Sequence, residues 1–314
     1  MSERVTAFAP ASIGNVAVGF DMLGLALEGV GDHVVAARSD GPGITIAEVR
    51  GLDGELHPYL STDPDHNTAS IAAQALWSDY GEDGGVELSI HKGVPLQSGM
   101  GSSAASAVAA VVAVNELLPT PLPLAGLINY ALAGERYASG GLHADNVAPS
   151  LLGGLVFCPE VLLPETVSLP VPDGVSAVLV HPELQVNTAH ARKKLARGYS
   201  MEEWLRQQAY CAGFVAACAK NDIALIGKTL KDVIIEPQRA PAVPCFDAVR
   251  TAAERGGALG VSLSGSGPSI FALCEESRAA NLAMAMEQAC RGLGIECQSW
   301  ISRLDAPGAC IVES

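Results

Sequence analysis

Pro95-Leu-Gln-Ser-Gly-Met-Gly-Ser-Ser-Ala-Ala105 decides how this chain is read. Just before it, Val86, Leu88 and Ile90 alternate with Glu87 and Ser89, the two-residue period of a half-buried strand. Just after it, Ala104 to Asn115 is rich in Ala and Val with no breaker, which predicts a helix packed on most of its faces. A glycine-rich turn feeding a helix N-terminus suits a phosphate. Gly99 and Gly101 admit backbone N–H groups close to an anion, and the first turn's free N–H groups and dipole favour negative charge. The hydroxyls of Ser102 and Ser103 add hydrogen bonds or reach a metal ion. Gly99-x-Gly101-x-x-Ala104 also satisfies the relaxed dinucleotide pattern, but its context does not fit. Lys92 to Pro95 part the strand from the glycines, and Pro119 to Leu124 offers no acid for a ribose. A Walker loop is excluded because no lysine follows the glycines. From the glycines and serines alone, a tight turn with a serine N-cap is the plainer account.

With 314 residues the chain has room for one large domain or two medium ones. Its formal net charge of −15 argues against a general nucleic-acid or anionic-membrane binder, which needs a basic face. Met1-Ser-Glu-Arg-Val has no apolar signal-peptide core, and the longest apolar run, Ala104 to Val114, is too short to span a bilayer. The eight cysteines are scattered singly, so buried free thiols in a reducing cytoplasm are expected rather than disulfides or a metal site.

Outward from the central stretch, Arg4 to Phe8 reads as a strand entering a glycine-bearing loop, Ala9 to Gly24. Asn15 and Asp21 stand there among apolar neighbours, as turn formers or as ligand-binding groups. Strands follow at His33 to Ala37 and Ile44 to Val49, and Asn67 or Thr68 caps a helix with Ile71, Ala72, Ala75 and Leu76 on its apolar positions. A helix from Leu124 to Ala138 carries Glu135 near its C-terminal end, poorly placed for the helix dipole. That glutamate is either simply exposed or a magnesium ligand.

Gly140 to Pro149 is a polar island, in which His143 and Asp145 are structural, a metal pair or a general-base dyad. Gly154 to Cys158 is a strand, and Pro159 to Pro172, with four prolines, is the best domain boundary. After the strand Ser176 to Val180, Asn187 to Arg197 is the densest basic cluster: a solvated face or an anion site. Helices are predicted at Trp204 to Ala219, with Leu205, Ala209, Ala212 and Ala216 as core stripe, and at Ala224 to Lys231. Helix Phe246 to Arg255, strand Ala258 to Leu263, a glycine turn Ser264 to Pro268 and strand Ser269 to Leu273 follow. A helix near Ala279 to Arg291 and a strand from Ile295 to Ile301 close the set.

Pro95 to Ala105 resembles the phosphate loop of the GHMP kinases, the family of galactokinase, homoserine kinase, mevalonate kinase and phosphomevalonate kinase. Ala9 to Gly24 is similar to the family's N-terminal motif and Ser262 to Leu273 to its C-terminal glycine motif. Within it, His143-Ala-Asp-Asn-Val-Ala-Pro149, Asn187-Thr-x-x-x-Arg192 and Ile235-Glu-Pro-x-Arg239 resemble the homoserine kinases, although Ala144 stands where many carry Tyr. The resemblance implies an α+β, two-domain fold. An N-terminal ribosomal-protein-type α/β domain (1–165), with a left-handed crossover that general rules do not predict, precedes a ferredoxin-like C-terminal domain (166–314).

It further implies ATP-dependent phosphorylation of the L-homoserine hydroxyl with Mg²⁺, on the way to threonine. Pro95, Ser98, Gly99, Met100, Gly101, Ser102, Ser103, Ala104, Ala105 and Asn67 would bind ATP, and Ser103 and Glu135 the metal. Arg192 and Arg239 would take the substrate carboxylate, with Asn15, Asp21 and Asn146 accepting from its ammonium and hydroxyl. Thr188 would sit near the γ-phosphate, and Asn146, Thr188, Arg192 and Asp21 form the catalytic set. The general base is left open: Asp21, or none, with the proton passing directly to phosphate. The expected partners are homoserine alone, without nucleic acid or membrane, and a homodimer is allowed for. The alternatives are another small-alcohol kinase of mevalonate type or a non-catalytic binder.

Overall fold

Within residues 3–196 and 198–312, which a computed structural model describes, the chain builds two sheets. The first half contains β1 (Arg4–Gly14), β2 (Leu23–Ser39), β3 (Gly43–Arg50), α1 (Thr68–Tyr80), β4 (Gly85–His91) and α2 (Ser102–Asn115). It continues through α3 (Ile128–Ser139), α4 (Ala144–Leu152), β5 (Leu155–Phe157) and β6 (Val167–Leu169). The second half begins with β7 (Val175–Pro182), α5 (Thr188–Lys193), α6 (Met201–Lys220), α7 (Ile223–Thr229) and α8 (Glu236–Arg239). Then come α9 (Phe246–Arg255), β8 (Gly260–Leu263), β9 (Ile270–Glu275), α10 (Ala279–Arg291), β10 (Cys297–Arg303) and β11 (Cys310–Val312).

The first sheet runs β11-β1-β2-β4-β3, and β5 pairs with both β2 and β6. β3 and β4 are parallel, so the chain crosses between them through α1. β6 and β11 lie beyond residue 165, yet both belong to this sheet. The second sheet runs β10-β7-β9-β8 and is antiparallel throughout. Helices between β7 and β8 and between β9 and β10 make it a βαββαβ unit, the ferredoxin-like arrangement.

α2 is the centre of the first layer. Every residue from Ala104 to Asn115 is buried, because Ala and Val side chains are small enough for α1, α3, α4 and the sheet to close around it. A burial of this kind places the helix N-terminus, and with it the glycine turn, at the junction of the two sheets.

Three expectations need correction. Half of Ala9 to Gly24 is strand: β1 runs to Gly14 and β2 starts at Leu23, with a register shift between Pro10 and Ala11. The polar island becomes helical from Ala144, with Asp145, Val147 and Ala148 buried. On α6 the stripe Leu205, Ala209, Ala212, Ala216 faces solvent, and Phe214, Ala217 and Cys218 are buried instead. Alanine at several phases of the helix carries little information about which face is covered. Arg197, the last residue of the basic cluster, lies outside the described residues.

Candidate active site

The glycine-rich loop leaves β4 at His91 and enters α2 at Ser102. Gly99 and Gly101 both have left-handed backbones, with φ of 77° and 68°. A Cβ on Gly99 would also stand 2.5 Å from the Ser264 carbonyl oxygen, so the position requires glycine twice over. That contact reflects how the second glycine turn seals the loop. Ser264 Oγ donates to Gly99 O (2.6 Å), Ser269 N–H to Ser98 O (3.1 Å), and Val186 N–H to Gln97 O (3.1 Å). The loop is therefore held by both halves of the chain.

Ser98, Gly99, Gly101, Ser102 and Ser103 line a cavity of about 410 Å³, whereas Met100, Ala104 and Ala105 are buried behind it and Pro95 is off its wall. Ser103 Oγ donates to Glu135 Oε2 at 2.8 Å. The glutamate is 7% exposed and on the same cavity wall, so the expectation of a merely exposed side chain does not hold. Asn67 caps α1, accepting from Ala69 N–H and donating to Ser61 O, and it also faces the cavity.

The other wall carries Asn15, Asp21, Asn146, Thr188, Arg192 and Arg239. Asn15, Val16 and Ala17 have φ of 67°, 43° and 57°, and Asp21 has 58°, left-handed backbones that L residues adopt only under constraint. The constraint is visible. Asn15 N–H donates to Asp145 Oδ2 (3.1 Å) and Asn15 Nδ2 to Gly265 O (3.1 Å). Asp21 N–H donates to Asn15 Oδ1 (3.0 Å). Arg192 grips Asp21 with both prongs, and His143 Nδ1 lies 3.8 Å from the same carboxylate. The guanidinium groups of Arg192 and Arg239 both stand over the ring of Phe20, at 5.2 and 5.1 Å. Arg239 donates to Gly265 O (2.9 Å), and its Nε is buried without a partner. Asn146 Oδ1 accepts from Ser12 Oγ (2.9 Å), and Thr188 and Ser266 exchange a hydrogen bond through their hydroxyls (3.1 Å).

Electrostatics follow the crowding. Burial, helped by the charges of Asp21 and Glu135, pushes Asp145 up to about 7. Burial and the Arg192 charge hold Arg239 below its ordinary value. Burial works against the Arg192 charge too, but the hydrogen bonds and charge of Asp21 outweigh it and the pKa rises. Burial lowers that of His143. The sequence reading does not single out Phe20, Gly265, Ser266 or Lys92, all four at this site. Phe20, Gly265 and Ser266 sit inside the motifs themselves, which is the signal that could have found them.

Residues 67–154 match the family model of the GHMP kinases N terminal domain, and residues 214–292 that of the GHMP kinases C terminal. The homoserine kinase of Xanthomonas campestris pv. campestris is 43% identical over 98% of this chain and 94% of that protein. The chain belongs to the GHMP kinase family, on its homoserine kinase branch. The homoserine kinase of Chlorobium phaeobacteroides is 40% identical over 99% of this chain and 100% of its own. The crystal structure of homoserine kinase from Cytophaga hutchinsonii superposes with a TM-score of 0.94 at 39% identity, covering 99% of this chain and 98% of that one. Mevalonate diphosphate decarboxylase from Staphylococcus aureus, at 16% identity and a TM-score of 0.71, shares the GHMP kinase fold alone. In this GHMP kinase the glycine-rich loop residues and the Arg192–Asp21 pair line one cavity.

Proposed function

We propose that the protein transfers a phosphoryl group from ATP to the side-chain hydroxyl of L-homoserine, giving O-phospho-L-homoserine, a step toward threonine. One observation carries this reading. A helix-terminal phosphate loop and a set of one carboxylate and two guanidinium groups share a single cavity. The first suits a nucleotide's phosphates and the second a zwitterion carrying both charges of an amino acid. The loop N–H groups of Gly99 to Ser103 hold the phosphates, Arg192 and Arg239 the carboxylate, and Asp21 and Asn15 the ammonium. Asn146 orients the hydroxyl, and Thr188 faces the phosphoryl group to be moved.

Ser103 and Glu135 are adjacent oxygen donors on the cavity wall, which fits a hard cation that takes its other ligands from phosphate and water. Mg²⁺ held there would supply charge neutralisation for the phosphates. Phosphoryl transfer is mostly positioning and charge stabilisation, and this residue set is built for both. Asp21, engaged by both prongs of Arg192, is a poor proton acceptor, so the reading assigns no dedicated base.

The net charge of −15 supports a small-metabolite enzyme over a nucleic-acid binder, and the free cysteines support a cytoplasmic setting. Among the described residues no helix is long and apolar enough to cross a membrane. Trp204 and Leu205, exposed on α6, support a homodimer. Incubation with Mg-ATP and L-homoserine, following ADP, tests the reading directly. ADP release well above the ATP-only blank, and a kcat/KM for homoserine far above that for mevalonate, are expected. No homoserine-dependent ADP would leave a binding protein, and equal kcat/KM values a different alcohol kinase.

A further inference from the structure

Beside the Gly99–Ser103 loop lies a polar network whose charged pair no assignment above uses. Asp32 on β2 and Lys92, the residue after β4, form an ion pair whose side chains are 0% and 3% exposed. Lys92 Nζ donates to Asp32 Oδ2, to the Ser102 carbonyl oxygen (2.8 Å) and to Ser106 Oγ (2.8 Å). Ser106 Oγ donates to Asp32 Oδ2 (2.6 Å), and Asp32 Oδ1 accepts from the N–H groups of Gly93 (2.9 Å) and Val94 (3.0 Å). Ser102 Oγ completes the ring by donating to Val94 O (2.9 Å). All three ammonium protons are engaged. Lys92 therefore has no donor left for a phosphate, unlike the lysine of a Walker loop.

Stability alone does not account for two charges here. A buried ion pair of this kind is commonly matched or bettered by apolar side chains of the same volume. What a fully satisfied network does supply is one defined geometry. This one ties β2, the start of the loop and the first turn of α2 together, and Ser102 is the residue from which that turn begins.

We propose that Asp32 and Lys92 are positioning residues for nucleotide binding. They fix the first turn of α2 at the height and tilt that aim the loop's N–H groups into the cavity. This rests on the reading that the Gly99–Ser103 loop holds phosphates.

The test compares Asp32→Asn, Lys92→Met and the double variant by thermal unfolding, by calorimetric titration with ATP in the absence of homoserine, and by homoserine KM at saturating ATP. Each single change strands a buried charge and should lower Tm. The double change removes both charges and should recover most of the loss. Its ATP Kd should nevertheless stay about tenfold or more above wild type, with homoserine KM within about twofold. A double variant with recovered Tm and an ATP Kd within twofold of wild type would overturn the proposal. So would a parallel loss of homoserine affinity. Should the charge variants fail to fold, Ser106→Ala removes only the bridging hydroxyl, and an ATP Kd raised about threefold or more is expected, against no change if the network is merely structural. Wild-type protein that binds no ATP would instead sink the phosphate reading, independently of these variants.

Discussion

Arg192 and Asp21 face each other as a two-pronged ion pair, with Nη1 2.9 Å from Oδ2 and Nη2 2.6 Å from Oδ1. In the proposed reading these are the groups that meet the carboxylate and the ammonium of homoserine. Each therefore occupies the other's place for the incoming zwitterion. A ligand with both charges can replace both halves of the pair at once, whereas a simple carboxylate replaces one half and leaves Asp21 short of a partner. Discrimination against mevalonate follows from that exchange.

Removing the guanidinium by Arg192→Ala should raise homoserine KM by roughly tenfold to a hundredfold, the weight of a charged hydrogen bond of about 1.5–3 kcal/mol. ATP KM should move far less. Steady-state kinetics with each substrate varied in turn measures both. A collapse of ATP affinity with homoserine KM unchanged would make α5 a phosphate site.

Arg239 is the more constrained of the two, buried, seated on Phe20 and bonded to Gly265 O. Lysine lacks the planar fork, so from its single nitrogen it cannot keep Gly265 O and also make a two-pronged contact with a carboxylate. Arg239→Lys should lower kcat/KM for homoserine about tenfold or more and leave ATP binding within a few-fold. Near wild-type kinetics would take Arg239 out of the substrate site.

Glu135→Gln keeps the size of the side chain and a hydrogen-bond partner for Ser103, but removes the charge that suits a cation. The expected result is a kcat lowered by an order of magnitude or more, partly restored at high magnesium, with homoserine KM little changed. Wild-type rates at every magnesium concentration would return Glu135 to a structural role.

Asp145 gives a pH signature. Its ordinary value of 3.8 is raised to about 7 by burial, so between those limits the folded protein binds a proton that the unfolded chain releases. Stability from this group is therefore greatest below pH 4 and falls as pH rises through 7. Asp145→Asn, neutral throughout, should match wild type near pH 4 and exceed it at pH 8, by an amount on the order of a few kcal/mol. Tm measured across that range decides it. A difference that does not grow with pH would show that the carboxyl is not carrying a buried charge.

Much of this architecture was legible from residues 86–118, where a period-two strand, two glycines and an unbroken Ala/Val helix describe β4, the loop and α2 in order. Of the cavity's polar residues, Asn15 and Asp21 stand out in the sequence because they interrupt apolar ones, whereas Asn146 was marked by the family resemblance alone. Other features depend on contacts that local pattern does not carry. α4 is covered because Gly24 leaves room for it: a Cβ there would sit 1.8 Å from the Asp145 carbonyl oxygen. Val16 and Ala17 have no local preference for φ of 43° and 57°, and they adopt it because Asp145 and Gly265 hold Asn15 from 130 and 250 residues away. α6 misled through its alanines, which fit several phases, whereas Phe214 and Cys218 mark the face that packs.

The pairing of β11 with β1 sets an order of events during synthesis. β1 is made long before β11, and among the described residues its outer edge is matched by Cys310–Val312, Thr6 opposite Val312 and Phe8 opposite Cys310. The phosphate loop waits in the same way for Ser264 and Ser269, which arrive more than 150 residues after Gly99, with Ser264 Oγ bonding the Gly99 carbonyl oxygen across 165 positions. A nascent chain of this protein thus carries a nearly complete first sheet with an open edge and an unfinished nucleotide loop until the C-terminal half has emerged, which makes that interval the one in which β1 is available to a chaperone or to the wrong strand.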